Sequence, residues 1–113
     1  MSIAVAYLGL AAAILLGIVA QLALKSAAVG ASSFLAQLLN PLTILGLGIY
    51  AVASFGYIAA LNRIPVSVAF PSVAASYIII AVMAHLLWHE PLGWHQLGGI
   101  ALIAGGIFLI HQT

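Results

Sequence analysis

Glu90 is the single acidic side chain among 113 residues, set in "LLWHEP" (86–91) between His89 and Pro91. A carboxylate inside a membrane span can couple transport to protons, because desolvation raises its pKa toward the working range. Glu90 falls in a break between apolar runs, so no carboxylate lies within any apolar run and coupling through one is disfavoured. Glu90 is expected at the lipid headgroup level, with Lys25 on the same side as its partner. His85 and His89 are spaced i, i+4, with His95 nearby. "HLLWHE" lacks the HExxH order and its spacing fixes no further ligand, so no metal site is expected. Trp88, His89 and Trp94 suit the membrane interface as anchors; His85 is the deepest histidine, and a proton-relay role stays open for it. The chain has no cysteine, so a disulfide, a thiol nucleophile and a thiolate metal site are all absent. No catalytic residue and no cofactor are expected.

Two cations complete the charged set. Lys25 closes the first apolar run, where a helix C-terminus favours a cation and the stem can snorkel to the headgroups. Arg63 is its counterpart on the other side, with a planar fork suited to phosphate. Uncharged polar side chains inside the runs are the remaining candidates for a substrate path: Gln21, Ser72, Ser76 and Tyr77, with contacts from Tyr50, Tyr57 and Asn62. Two alternatives stay open. The serines can bond back to carbonyls of their own helix, and the hydroxyls can tie helices together.

The elements that must position these residues follow from composition. Hydrophobic residues make up 66% of the chain and charged residues 3%, which leaves too little charge for the surface of a water-soluble domain. With a formal net charge of +1, there is no electrostatic basis for binding nucleic acid. Apolar runs at about 3–24, 41–61, 66–88 and 95–110 are separated by residues 26–40, "NRIP" (62–65) and "HEPLGW" (89–94). The expected fold is therefore all-α: an integral membrane bundle of four transmembrane helices in one domain, residues 1–113. The first run lacks a basic leader and is read as a retained span rather than a signal peptide. Asn40-Pro41 predicts the start of the second span, and Pro71 predicts a kink in the third, where its missing N–H frees the carbonyl of Ser67. For residues 26–40 three readings are equal: a short helix capped by Ser32 or Ser33, an interfacial turn, or an early start to the second span. With four spans, Lys25 and Arg63 lie on opposite sides, so basic residues give almost no orientation signal and dual topology stays open.

Small residues recur at helical spacing in three runs: Gly9, Ala13 and Gly17 leading to Gln21; Ala53, Gly56 and Ala60; and Gly98, Ala101 and Gly105. Such stripes let helix backbones approach closely in lipid. They serve either packing within the bundle or, for the last, a dimer seam. Four helices of this length enclose little space, so a dimer is expected on size grounds.

The order of these features resembles the four-helix branch of the drug/metabolite transporter superfamily, which includes the small multidrug resistance proteins. Within it, the nearest likeness is to the small flippase subunits for 4-amino-4-deoxy-L-arabinose on undecaprenyl phosphate. The resemblance rests on "GIVAQLALKSA" (17–27), "IPVSVAFPSVAASYI" (64–78) and "LWHEPLGWHQLGGIALIAGGIFLI" (87–110). It implies a transporter or flippase subunit, not an enzyme, in a bacterial inner membrane. Its substrate would be a lipid-linked sugar or other amphipathic molecule moved between leaflets. Its partner would be a second copy or a similar four-helix subunit. Substrate contacts would come from Gln21, Lys25, Tyr57, Arg63, Ser72, Ser76 and Tyr77, with Trp88, His89, Glu90 and Trp94 in the headgroup region. The family's drug exporters carry a glutamate about two turns before the lysine, a place that falls near Gly17 here. A proton-coupled exporter of small cations is thus the second reading, and a non-transporting accessory subunit the third.

Overall fold

The computed structural model describes residues 2–112, and every described element is helical. The first helix, α1 (Ile3–Ala28), starts where the Ser2 hydroxyl accepts the N–H of Val5. It runs one turn beyond the expected end because nothing in residues 25–28 breaks it. Lys25 sits in its last turn, where the helix dipole favours a positive charge. The chain leaves through Gly30 at φ +76°, a left-handed conformation that glycine adopts without steric cost.

Of the three readings of residues 26–40, the short helix is the one found. Ser33 accepts the N–H of Ala36 and opens α2 (Phe34–Leu39), which buries none of its residues. Asn40 then caps α3 (Pro41–Leu61), its Oδ1 accepting the N–H of Leu42 at 2.9 Å with Pro41 in the first turn. The hydroxyl of Thr43 donates to the carbonyl of Gln37 and fixes the corner between α2 and α3.

The third apolar run breaks at Ala74 into α4 (Val66–Val73) and α5 (Ala75–Trp88). Pro71 inside α4 cannot donate, and the backbone tightens after it: Ala74 N–H donates to Pro71 O and Tyr77 N–H to Ala74 O. Ser72 and Ser76 donate their hydroxyls to Val68 O and Val73 O, at 2.6 and 2.7 Å. Those bonds occupy carbonyls around the break. His89 ends α5 in the left-handed region, at φ 56°, and the last helix, α6, spans Trp94–Ile110. Three helical stretches, Ile3–Ala28, Pro41–Leu61 and Val66–Trp88, are long and apolar enough to cross a bilayer, whereas α6 is a shorter apolar helix of 17 residues.

Packing is uneven. α1 lies antiparallel to α3, and their backbones meet at Gly9 and Gly56. A Cβ on Gly56 would stand 2.8 Å from the Gly9 carbonyl oxygen, and one on Gly9 would stand 3.0 Å from the Gly56 oxygen. Ala13, Ala53 and Ala60 are buried, so the second small-residue stripe and the Gly9–Ala13 part of the first serve packing within the chain. The stripe of α6 does not. Among the described residues, no atom outside its own helix backbone lies within 4 Å of a Cβ built on Gly98 or Gly105, and α6 buries no residue. At the Arg63 end, Ala6, Leu10, Ala60, Ile64 and Ala69 form an apolar cluster, in which Ile64 is only 2% exposed.

Candidate functional site

The polar side chains singled out above divide into three places. Gln21 from α1, Tyr57 from α3, and Ser76 and Tyr77 from α5 line a single cavity of about 310 Å³ at mid-span. That volume is at the lower end for a small-molecule site. Tyr50 and Ser54 join the lining. Tyr50, Ser54 and Tyr57 recur at i, i+4 and i+7, one face of a helix. That spacing was a readable signal for Ser54, which polarity alone had not singled out. The remaining wall is apolar or small, with Gly17 and Ala53 among it. Nothing lies within 4 Å of a Cβ built on Gly17, so the absent side chain there is open space.

The cavity has an end and a side. Towards Arg63 the apolar cluster closes it, with Ile14, Tyr57 and Val73 packed on that cluster and also lining the cavity. Sideways, α1 packs against both α3 and α5, whereas α3 and α5 share no seam of their own among the described residues. The gap between them exposes Ser54 and Tyr77. The chamber is thus mainly apolar, with an amide and hydroxyls set into its wall, and open to the side, and none of its lining side chains is charged.

Lys25 lies one turn beyond Gln21, and its Nζ stands 3.0 Å from Glu90 Oε2, the pairing expected from their shared side. Side-chain exposures of 46% and 43% mark the pair as accessible. His85 holds the same loop through Nδ1, 2.8 Å from Glu90 O. A carbonyl only accepts, so Nδ1 carries the proton in that bond. Trp88 is half-buried, whereas His89 and Trp94 are exposed. No three histidine or acidic side chains converge on a metal-sized site among the described residues.

Ser72 is not among the residues that line the chamber. It is buried, its hydroxyl donates to Val68 O, and its Oγ lies 3.3 Å from His111 Nε2. The back-bonding alternative describes it, and its tertiary role is to hold the end of α6 against α4. Nothing in the spacing of Ser72 and His111 announced that contact. Ser76 both back-bonds and lines the cavity. Arg63 is exposed beyond the apolar cluster, at the opposite end from Lys25. Asn62 sits at the C-terminus of α3, away from the cavity lining.

These features define a class: a multi-pass helical membrane protein with a side-opening chamber that carries a few uncharged polar side chains and no carboxylate. The chain belongs to the EamA-like transporter family, which matches residues 2–112. Among curated proteins it is 32% identical over 69 residues to a probable 4-amino-4-deoxy-L-arabinose-phosphoundecaprenol flippase subunit, ArnE, of Escherichia fergusonii. That match covers 61% of this chain and 62% of the relative. It is 36% identical over 83 residues to the probable ArnF subunit of the same flippase from Shewanella sediminis, covering 70% of this chain and 57% of the relative. The chain thus spans about three fifths of the length of these relatives. No solved structure matches it.

Proposed function

We propose that this protein is a carrier subunit that moves a polyprenyl-phosphate-linked sugar, or a chemically similar amphipathic lipid, between leaflets of a bacterial inner membrane. The observation that carries this reading is the side-opening chamber. A prenyl tail can remain in the bilayer while only the headgroup enters through the gap between α3 and α5. Gln21, Tyr50, Tyr57, Ser76 and Tyr77 then offer an amide and hydroxyls to sugar hydroxyls, without a fixed charge to trap the ligand. Lys25 and Arg63, one at each end, serve the phosphate as it arrives and leaves. The names of the ArnE and ArnF relatives support this substrate class.

In this reading α6 is the fourth span. At about 1.5 Å per residue its 17 residues reach about 26 Å, which a bilayer accommodates by slight thinning. A second four-helix subunit, identical or similar, completes the pathway, since one chain walls the chamber on only part of its circumference. Gly17, where the exporter resemblance calls for a glutamate, leaves this chain without that proton-coupling group.

The test is leaflet exchange of a fluorescent polyprenyl phosphate in proteoliposomes. Acceleration over protein-free vesicles is expected. No acceleration, either alone or with a co-expressed four-helix partner, would sink the carrier reading in favour of an accessory role. Uptake of a small cation driven by a pH gradient would instead revive the exporter.

A further inference from the structure

Glu90 is the sole acidic side chain of the sequence, and it is paired with the sole lysine. The pair bridges the last turn of α1 and the loop between α5 and α6. It is half-exposed on both sides, so it contributes little to stability and is readily exchanged. Lys25 also stands one turn from Gln21, at the end of the chamber that the apolar cluster leaves unsealed. A phosphate offers an ammonium the same charge-assisted hydrogen bonds as a carboxylate, and more acceptor oxygens.

We propose that Glu90 is a built-in counterion for Lys25, displaced when a phosphate-bearing headgroup arrives, and that displacement frees the α5–α6 loop from α1. This rests on the carrier reading for the ligand's chemistry, a phosphate mono- or diester. The loop is built to survive the exchange. His85 grips Glu90 through its main-chain carbonyl, so the side chain can swing away while the backbone stays anchored. The helix that follows is lightly held. α6 buries no residue, and the His111–Ser72 contact and this loop tie its two ends to the other helices. Breaking the Lys25–Glu90 bridge therefore removes a direct link between headgroup site and α6. With its own anion in place, an empty Lys25 is neutralised and less attractive to stray anions; with a ligand phosphate in place, the bridge is open.

Both tryptophans of the chain, Trp88 and Trp94, flank Glu90, so the loop reports on itself. Calorimetric affinity for geranyl phosphate and tryptophan emission should be measured in nanodiscs for wild type, Glu90→Gln, Lys25→Gln and the double variant. Glu90→Gln is expected to tighten binding by up to about fivefold, since no internal anion competes. Its ligand-free emission should resemble that of ligand-bound wild type. Lys25→Gln should weaken binding at least about tenfold, and adding Glu90→Gln to it should change nothing further. Glu90→Asp, with a shortened reach, should fall between wild type and Glu90→Gln and serves if the latter does not assemble. Response to geranyl phosphate but not to inorganic phosphate places the anion on a lipid; equal response to both supports exchange with free phosphate as the ligand. Unchanged or weaker binding by Glu90→Gln and Glu90→Asp, or an equal response to geraniol, overturns the proposal. The two readings fail separately. Leaflet exchange without the Glu90 effect removes the counterion alone, and the Glu90 effect without leaflet exchange removes the carrier alone.

Discussion

Adding a single methyl group at Gly56 probes the α1–α3 contact directly. A Cβ there would stand 2.8 Å from the carbonyl oxygen of Gly9, against about 3.4 Å for ordinary contact. The obstacle is backbone, so no side-chain rotation relieves it, and the two helices must part by about 0.6 Å at their crossing. Separation loosens the packing of Ala13, Ala53 and Ala60 on the same seam. In lipid that packing is the main attraction between helices, because hydrophobicity supplies none. Overpacking of this kind costs about 1–3 kcal/mol. Gly17→Ala is the matched control, since its Cβ meets nothing within 4 Å. It should be neutral or slightly stabilising through helix propensity. Reversible unfolding in mixed micelles by added SDS, followed by circular dichroism, measures both. Gly56→Ala as stable as Gly17→Ala would refute the close crossing, and with it the placement of α3 that builds the chamber.

Other substitutions separate packing from transport. Gly17→Leu should leave unfolding free energy within about 0.5 kcal/mol of wild type while reducing leaflet exchange, because it projects into the chamber; normal exchange would exclude the chamber from the pathway. His89→Gly should stabilise by about 1 kcal/mol in the same unfolding assay, since a left-handed residue at φ 56° is strained by its Cβ; a loss of stability would place His89 in contacts worth more than the strain. Ile64→Ala should cost about 2 kcal/mol through the cavity it leaves at the closed end of the chamber, and an equal loss from truncating exposed Phe70 would show that cluster to be no core. Ser72→Ala should leave geranyl phosphate affinity unchanged while increasing hydrogen exchange at the end of α6; a tenfold affinity loss would return Ser72 to the substrate path.

Much of this protein was written in its sequence. Long apolar runs with almost no charge leave helices as the default, because unpaired backbone groups are too costly in hydrocarbon. Asn40-Pro41 marked the start of α3, and Pro71 announced trouble in the third run. The lone charges at Lys25 and Glu90 implied their pairing. The glycine stripes of α1 and α3 were equally legible, though only the fold showed that Gly9 and Gly56 meet each other while Gly98 and Gly105 of α6 have no such neighbour among the described residues. Tertiary structure decided the rest, since which face of an apolar helix turns inward cannot be read when all faces are apolar. It moved the break from Pro71 to Ala74, sent Ser72 to His111, and drew Tyr50 and Ser54 in beside Gln21. The sequence by itself determined that no carboxylate sits inside a span. Only the divergence of α3 from α5, both held to α1, decided that the space between them is a chamber.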